Sequence, residues 1–112
     1  MKINFNEIED TIQPNFWSGD GEFVSKVYND GLNKILLGKL KKGCSIGLHK
    51  HTNTSEIIYV LSGRGIMTYN GVEELLEKGD CHYCPDSNSH TFKNVSDEDL
   101  IFFACIPTHK NN

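Results

Sequence analysis

In the stretch "GCSIGLHKHTNTSEIIYVLSG", residues Gly43 to Gly63, His49 and His51 stand two apart and Glu56 follows five residues later. Residues i and i+2 of a β-strand point to the same face, so His49 and His51 project together and can chelate one ion. The polar link Thr52-Asn53-Thr54-Ser55 can turn the chain, and Glu56 then begins the apolar run "EIIYVL". If that run pairs beside the first, Glu56 faces the same interior as the two histidines. Imidazole and carboxylate together suit a divalent transition metal, and iron, manganese, nickel and zinc all accept these donors. His90 stands at the head of a further apolar strand, in "GDCHYCPDSNSHTFKN".

Such a group needs a sheet to hold it. Turn signals recur at Asn29-Asp30-Gly31, Lys42-Gly43, Ser62-Gly63-Arg64-Gly65, Asn70-Gly71, Lys78-Gly79-Asp80 and Pro85-Asp86-Ser87-Asn88. Between them lie short runs rich in Val, Ile, Tyr and Phe: "EFVSKVY", "KILLGKL", "SIGLHKH", "EIIYVL", "GIMTY", "CHYC", "HTFKNV" and "LIFFACI". Regular short strands separated by turns predict an all-β sandwich or small barrel. Asn70-Gly71 is a two-residue hairpin signal, because a type I′ turn needs positive φ twice. The run "VEELLEK" has helical propensity, but its place after that turn favours the returning strand. The first 20 residues are ambiguous: Ile8 and Ile12 would share a helix face, while Pro14, Gly19 and Gly21 break any long element. No repeat, linker or low-complexity segment interrupts the 112 residues, which is the length of one domain.

Gly43, His49, His51, Glu56 and Gly63 fit the pattern G-x5-H-x-H-x4-E-x6-G. Gly79, Pro85, His90 and Asn94 fit G-x5-P-x-G-x2-H-x3-N, with Ser87 in place of the inner glycine. On these residues the chain resembles the cupin family. The resemblance implies a double-stranded β-helix, a jelly-roll barrel with a divalent metal inside. Carried over by position, the metal ligands are His49, His51, Glu56 and His90. The barrel is expected over 22–106 and a flexible tail over 107–112. Residues 1–21 are expected to form an N-terminal arm that packs on a partner subunit, since such proteins often form homodimers. Ser87 requires either an ordinary φ or a small strain cost.

Composition narrows the partners. Eleven basic and fifteen acidic residues give a formal net charge of −4. Nucleic acid and anionic membranes both call for a basic patch, so neither is expected as a partner. Arg64 is the sole arginine, which excludes a site built from several guanidinium clamps. No apolar run approaches the ~20 residues of a membrane helix. The start "MKINFNEIED" lacks the apolar stretch of a signal peptide, so a cytoplasmic location with reduced thiols is expected. Cys81 and Cys84 are three apart and face opposite sides of a strand, so "CHYC" is not expected to hold a metal or a disulfide. By alternation Ile58, Val60 and Phe92 face inward and Tyr59 outward. His82 shares a face with Cys84 and joins Ile58, Val60 and Phe92 as a candidate pocket-lining residue. Phe16 and Trp17 either cap the barrel or meet a partner.

Three interior histidines and a glutamate could instead form a metal-free hydrogen-bonded cluster. An uncompensated buried carboxylate costs several kcal/mol, however, and a cation offsets that cost directly. Four protein ligands on an octahedral ion leave two positions for water, oxygen or a chelating substrate. The leading functional expectation is a metalloenzyme, dioxygenase-like, acting on a small molecule. The alternatives are a non-catalytic small-molecule or sugar binding or sensing module, and a metal-assisted isomerase or lyase. The last wants a positioned acid or base beyond the ligands, and the sequence offers no clear one, so no catalytic residue is assigned.

Overall fold

Asn70 and Gly71 both take positive φ, 48° and 82°, and close a two-residue hairpin. Similar turns divide the chain of this computed structural model, which describes residues 1–109, into ten strands. They are β1 (Thr11–Pro14), β2 (Glu22–Asn29), β3 (Asn33–Leu40), β4 (Ser45–Lys50), β5 (Glu56–Ser62), β6 (Arg64–Tyr69), β7 (Val72–Glu77), β8 (Cys81–Cys84), β9 (Ser89–Asn94) and β10 (Leu100–Pro107). Two short 3-10 turns, Phe5–Glu7 and Phe16–Ser18, complete the set. The segment "VEELLE" is the returning strand β7, because the turn that precedes it fixes antiparallel pairing with β6.

All strand pairs are antiparallel. One sheet runs β1-β2-β3-β10-β5-β8 and the other β4-β9-β6-β7. The fold is therefore the jelly-roll barrel. Side chains alternate as a half-buried sheet requires: along β5 Glu56, Ile58 and Val60 are buried while Ile57, Tyr59 and Leu61 are exposed. Along β9 His90, Phe92 and Asn94 are buried. The apolar core joins Leu36, Leu40, Val60, Leu100 and Phe102 of the large sheet to Ile46, Met67, Leu76 and Phe92 of the small one. Phe92 meets Phe102 edge to face at 5.3 Å across that gap. Glu56 and His90 take the first inward position of β5 and β9, so they gather at one end of the barrel, with Ile58, Val60 and Phe92 beyond them.

Two regions depart from simple alternation. Thr11–Pro14 forms an edge strand against β2, with Ile12 exposed. Asn15, Trp17 and Ser18 then take left-handed φ values of 49°, 53° and 63°. This turn packs directly on β4. A Cβ on Gly47 would lie 1.8 Å from the Trp17 carbonyl oxygen, and one on Gly19 would lie 2.2 Å from that of Ser45. Only glycine permits that approach. Phe16 stacks on Phe23 at 5.6 Å, so the turn closes one side of the barrel. At the other end of the chain Thr108 bridges Thr54, and His109 Nε2 lies 2.9 Å from Ser55 Oγ. The rest of the expected tail, residues 110–112, lies outside the described residues. No helix among the described residues is long and apolar enough to cross a membrane.

Candidate metal centre

His49 and His90 are register partners on β4 and β9, and the β4 side of that ladder carries a bulge between Ile46 and His49. The bulge turns His49 inward on the same wall as Ile46. His51 lies just past the end of β4 but stays tied to the small sheet: its N–H donates to Asn88 O at 3.0 Å, and its carbonyl accepts from Ser87 N–H at 2.8 Å. Glu56 opens β5 on the opposite sheet, buried and facing the histidines. Ser87 sits in the turn before β9 with φ 70°, so the serine at this position adopts the strained, left-handed alternative.

The structure brings together all four residues that the motif comparison singled out. His90 Nε2 lies 3.0 Å from His49 Nε2, 3.1 Å from His51 Nε2 and 3.0 Å from Glu56 Oε1. His51 Nε2 lies 3.2 Å from the same Glu56 oxygen. Ligand atoms ~2.1 Å from one ion and at right angles to each other are ~3.0 Å apart, against ~3.4 Å for a tetrahedral set. The observed separations match the right-angled arrangement.

The outer ring nitrogens show which way the lone pairs face. His49 Nδ1 lies 2.8 Å from Gly47 O, and a carbonyl only accepts, so His49 carries its proton on Nδ1. His51 Nδ1 is 3.1 Å from Thr54 Oγ1, and His90 Nδ1 is 3.0 Å from His82 Nε2. Each ring therefore has an acceptor for an outer N–H, which leaves three Nε2 lone pairs and a carboxylate aimed at one point. Those charges repel unless a proton or a cation lies among them. Outer N–H groups held by carbonyl, hydroxyl or imidazole acceptors are also how metal-bound histidines are oriented. The donor set thus fits a divalent transition ion.

Electrostatics follow from burial. With a proton in place of an ion, Nε2–H of His51 and His90 points inward: desolvation would raise the Glu56 carboxyl, but hydrogen bonds from these two rings, with their charges, outweigh it and hold its pKa at about 2. Burial lowers His49 below the ordinary histidine value despite its bond to Gly47. Burial, with the neighbouring His90, pushes His82 down to about 4. His82 is therefore neutral near pH 7 and free to accept from His90.

His82, Cys84 and His90 form a second buried group whose donor atoms also lie within 4.8 Å of one another. Its His90 atom, Nδ1, is 3.0 Å from His82 Nε2. Burial, reinforced by Glu56, raises the Cys84 thiol to about 11, so without an ion it keeps its proton. Cys81 is exposed and Cys84 buried, as opposite faces of β8 require.

A cavity of about 700 Å3 opens onto the four-residue cluster. Of the candidate pocket residues, Ile58 and Phe92 line it. Val60 lies deeper in the core, and His82 stands behind His90. Trp17, expected from sequence only as a barrel cap or partner contact, stacks its ring on His49 at 5.4 Å and 14°. The close approach of Gly19 and Gly47 is the only local sign of it. The role of His82 behind His90 was missed, although its shared face with Cys84 placed it on the inner wall.

Comparison with known proteins agrees with this architecture. The cupin domain family model matches residues 36–106, and the chain belongs to that family. An oxalate-binding protein of Thermotoga maritima is 40% identical over 68 residues, which cover 61% of this chain and 56% of that relative. An uncharacterized protein of Methanocaldococcus jannaschii is 31% identical over 110 residues, 94% of this chain and 86% of the other. Among solved structures, a predicted oxalate decarboxylase from Thermotoga maritima superposes with TM-score 0.90 at 30% identity, covering 96% of this chain and 99% of that one.

Proposed function

We propose that His49, His51, Glu56 and His90 hold one divalent transition ion, and that this ion receives a small chelating organic acid from the adjoining cavity. The observation that carries the reading is the convergence of four donor atoms at the wall of a cavity of about 700 Å3. When bound, the ion supplies Lewis acidity and redox capacity. The chain's residues supply the rest: Thr54, His82 and Gly47 orient the ligand rings, and Trp17 covers His49. The similarity to an oxalate-binding protein and to a predicted oxalate decarboxylase puts oxalate first among the acids to test.

A dioxygenase-like oxidation is the enzymatic form we favour, because the cavity lining offers no carboxylate or histidine apart from the cluster. Its other titratable members are Lys34 and Lys50. An isomerase or lyase needs a separate positioned base. A pure binding module needs none, and remains the second reading on that same observation. Calorimetric titration of iron- or manganese-loaded protein with oxalate tests the binding. Oxygen uptake or carbon dioxide release on mixing tests turnover. Heat of binding without either product selects the binding module. No metal-dependent heat with oxalate or any other small chelating acid overturns the proposal.

A homodimer is part of the same proposal. Ile57, Tyr59, Leu61 and Tyr83 stand exposed together on the outer face of β5 and β8, an apolar patch of the kind that protein contacts cover. A cytoplasmic setting, which keeps the four thiols reduced, goes with it. Sedimentation of the purified protein checks the first point: a monomer at micromolar concentration would remove the dimer from the account.

A further inference from the structure

We infer that the cavity is built for an organic acid substantially larger than oxalate, with a flat apolar body behind its chelating carboxylate. The inference rests on the metal-centred reading above and deepens it.

Size comes first. A volume of about 700 Å3 falls in the range that takes drug-sized molecules. Oxalate, the smallest dicarboxylate, would touch the ion and leave nearly all of that space to water. The walls come second. Beyond the cluster the lining mixes polar residues with a large apolar portion that includes Phe16, Trp17, Phe23, Leu36, Ile58 and Phe92. Oxalate has no apolar surface to bury against them. Trp17 is about half exposed and stacks on a candidate metal ligand, so a flat group extending from the ion would slide along its ring.

Charge comes third. The protein carries fifteen acidic residues, yet Glu56 is the only one in the cavity lining, and it is committed to the cluster. Lys34 and Lys50 are the cations there. Lys34 shares the inner face of β3 with buried Leu36 and makes no ion pair among the described residues. An acid-rich protein has thus kept acids out of this cavity and placed an unpaired lysine in it, which favours an anion over a neutral ligand of the same shape.

The test uses manganese-loaded protein and three probes: oxalate, phenylpyruvate and the uncharged methyl ester of phenylpyruvate. Metal binding is titrated first, so that failure of the metal reading is seen before any acid is added. Phenylpyruvate is expected to bind about tenfold or more tighter than oxalate, through the buried ring. The ester is expected to bind more weakly than the acid. Lys34→Glu, at an exposed site with no partner to lose, is expected to weaken phenylpyruvate by roughly five- to tenfold at low salt and to leave the ester unchanged. Normal metal binding with oxalate equal to or tighter than phenylpyruvate overturns the inference. So does a Lys34→Glu protein that binds acid and ester as the wild type does.

Discussion

Replacing Glu56 by Gln in metal-stripped protein isolates the electrostatic work of the cluster. The carboxyl pKa is held at about 2 against an ordinary 4.5. One pKa unit corresponds to ~1.36 kcal/mol, so the ionised form contributes about 3 kcal/mol to the folded state. The sign follows from a folded-state value below the unfolded one. The contribution is fully present above pH 4.5 and is lost as pH falls toward 2. Glutamine keeps an acceptor oxygen but has no charge, so Glu56→Gln should be less stable than wild type by about 3 kcal/mol at pH 7. With a chain of 112 residues unfolding at ~2.1 cal/mol/K per residue, that is roughly 13 °C in Tm. The gap should close between pH 4.5 and 2, where the wild-type carboxylate takes up its proton. Thermal unfolding in chelator, measured at intervals across that range for both proteins, reads the difference directly, and the other carboxylates cancel in the comparison. Two curves that run parallel from pH 7 to pH 2 would refute the reasoning.

Other substitutions test the supports of the site. His82→Phe keeps a flat ring but removes the acceptor for buried His90 Nδ1–H, so metal affinity should fall about 10- to 100-fold and the metal-free protein should lose about 1–3 kcal/mol; calorimetric metal titration and thermal unfolding in chelator check it. Gly47→Ala would set a Cβ 1.8 Å from the Trp17 carbonyl oxygen. It should cost about 1–3 kcal/mol and shift the emission of Trp17, the only tryptophan, as its ring leaves His49. Ser87→Gly relieves a left-handed φ of 70° and should stabilise the fold by about 0.5–1 kcal/mol in urea denaturation.

Much of this architecture was legible because its elements are local. The β-branched runs and the Asn70-Gly71 turn carry their conformation in their own residues, and the bounds of β2 to β10 follow them closely. Alternation then told Ile58 and Val60 from Tyr59 without further information. His49, His51 and Glu56 were readable from their spacing, although a bulge aims His49 and backbone bonds to Ser87 and Asn88 hold His51 past the end of β4. What stayed hidden depends on contacts between distant segments. β1 is an edge strand with an exposed Ile12 and little apolar signal of its own. The bulge that aims His49 inward exists only against β9. Trp17 adopts a left-handed φ that its bulky side chain disfavours, and it is held there by the approach of β4 through Gly47. The partnership of His82 with His90 required knowing that β8 lies beside β5 and that His90 reaches across from the other sheet.

The measurement that bears most directly on the metal centre is elemental analysis of the untagged protein beside His51→Ala. His51 Nε2 contacts both Glu56 and His90, and the residue lies just past the end of β4, so its side chain carries no strand pairing. The account predicts near-stoichiometric iron, manganese, nickel or zinc in the wild type and its loss from the variant. It also predicts that a site filled at ~100 times its dissociation constant stabilises the wild type alone by about 2.7 kcal/mol. Wild type that takes up no metal, or equal metal content in the two proteins, would contradict it.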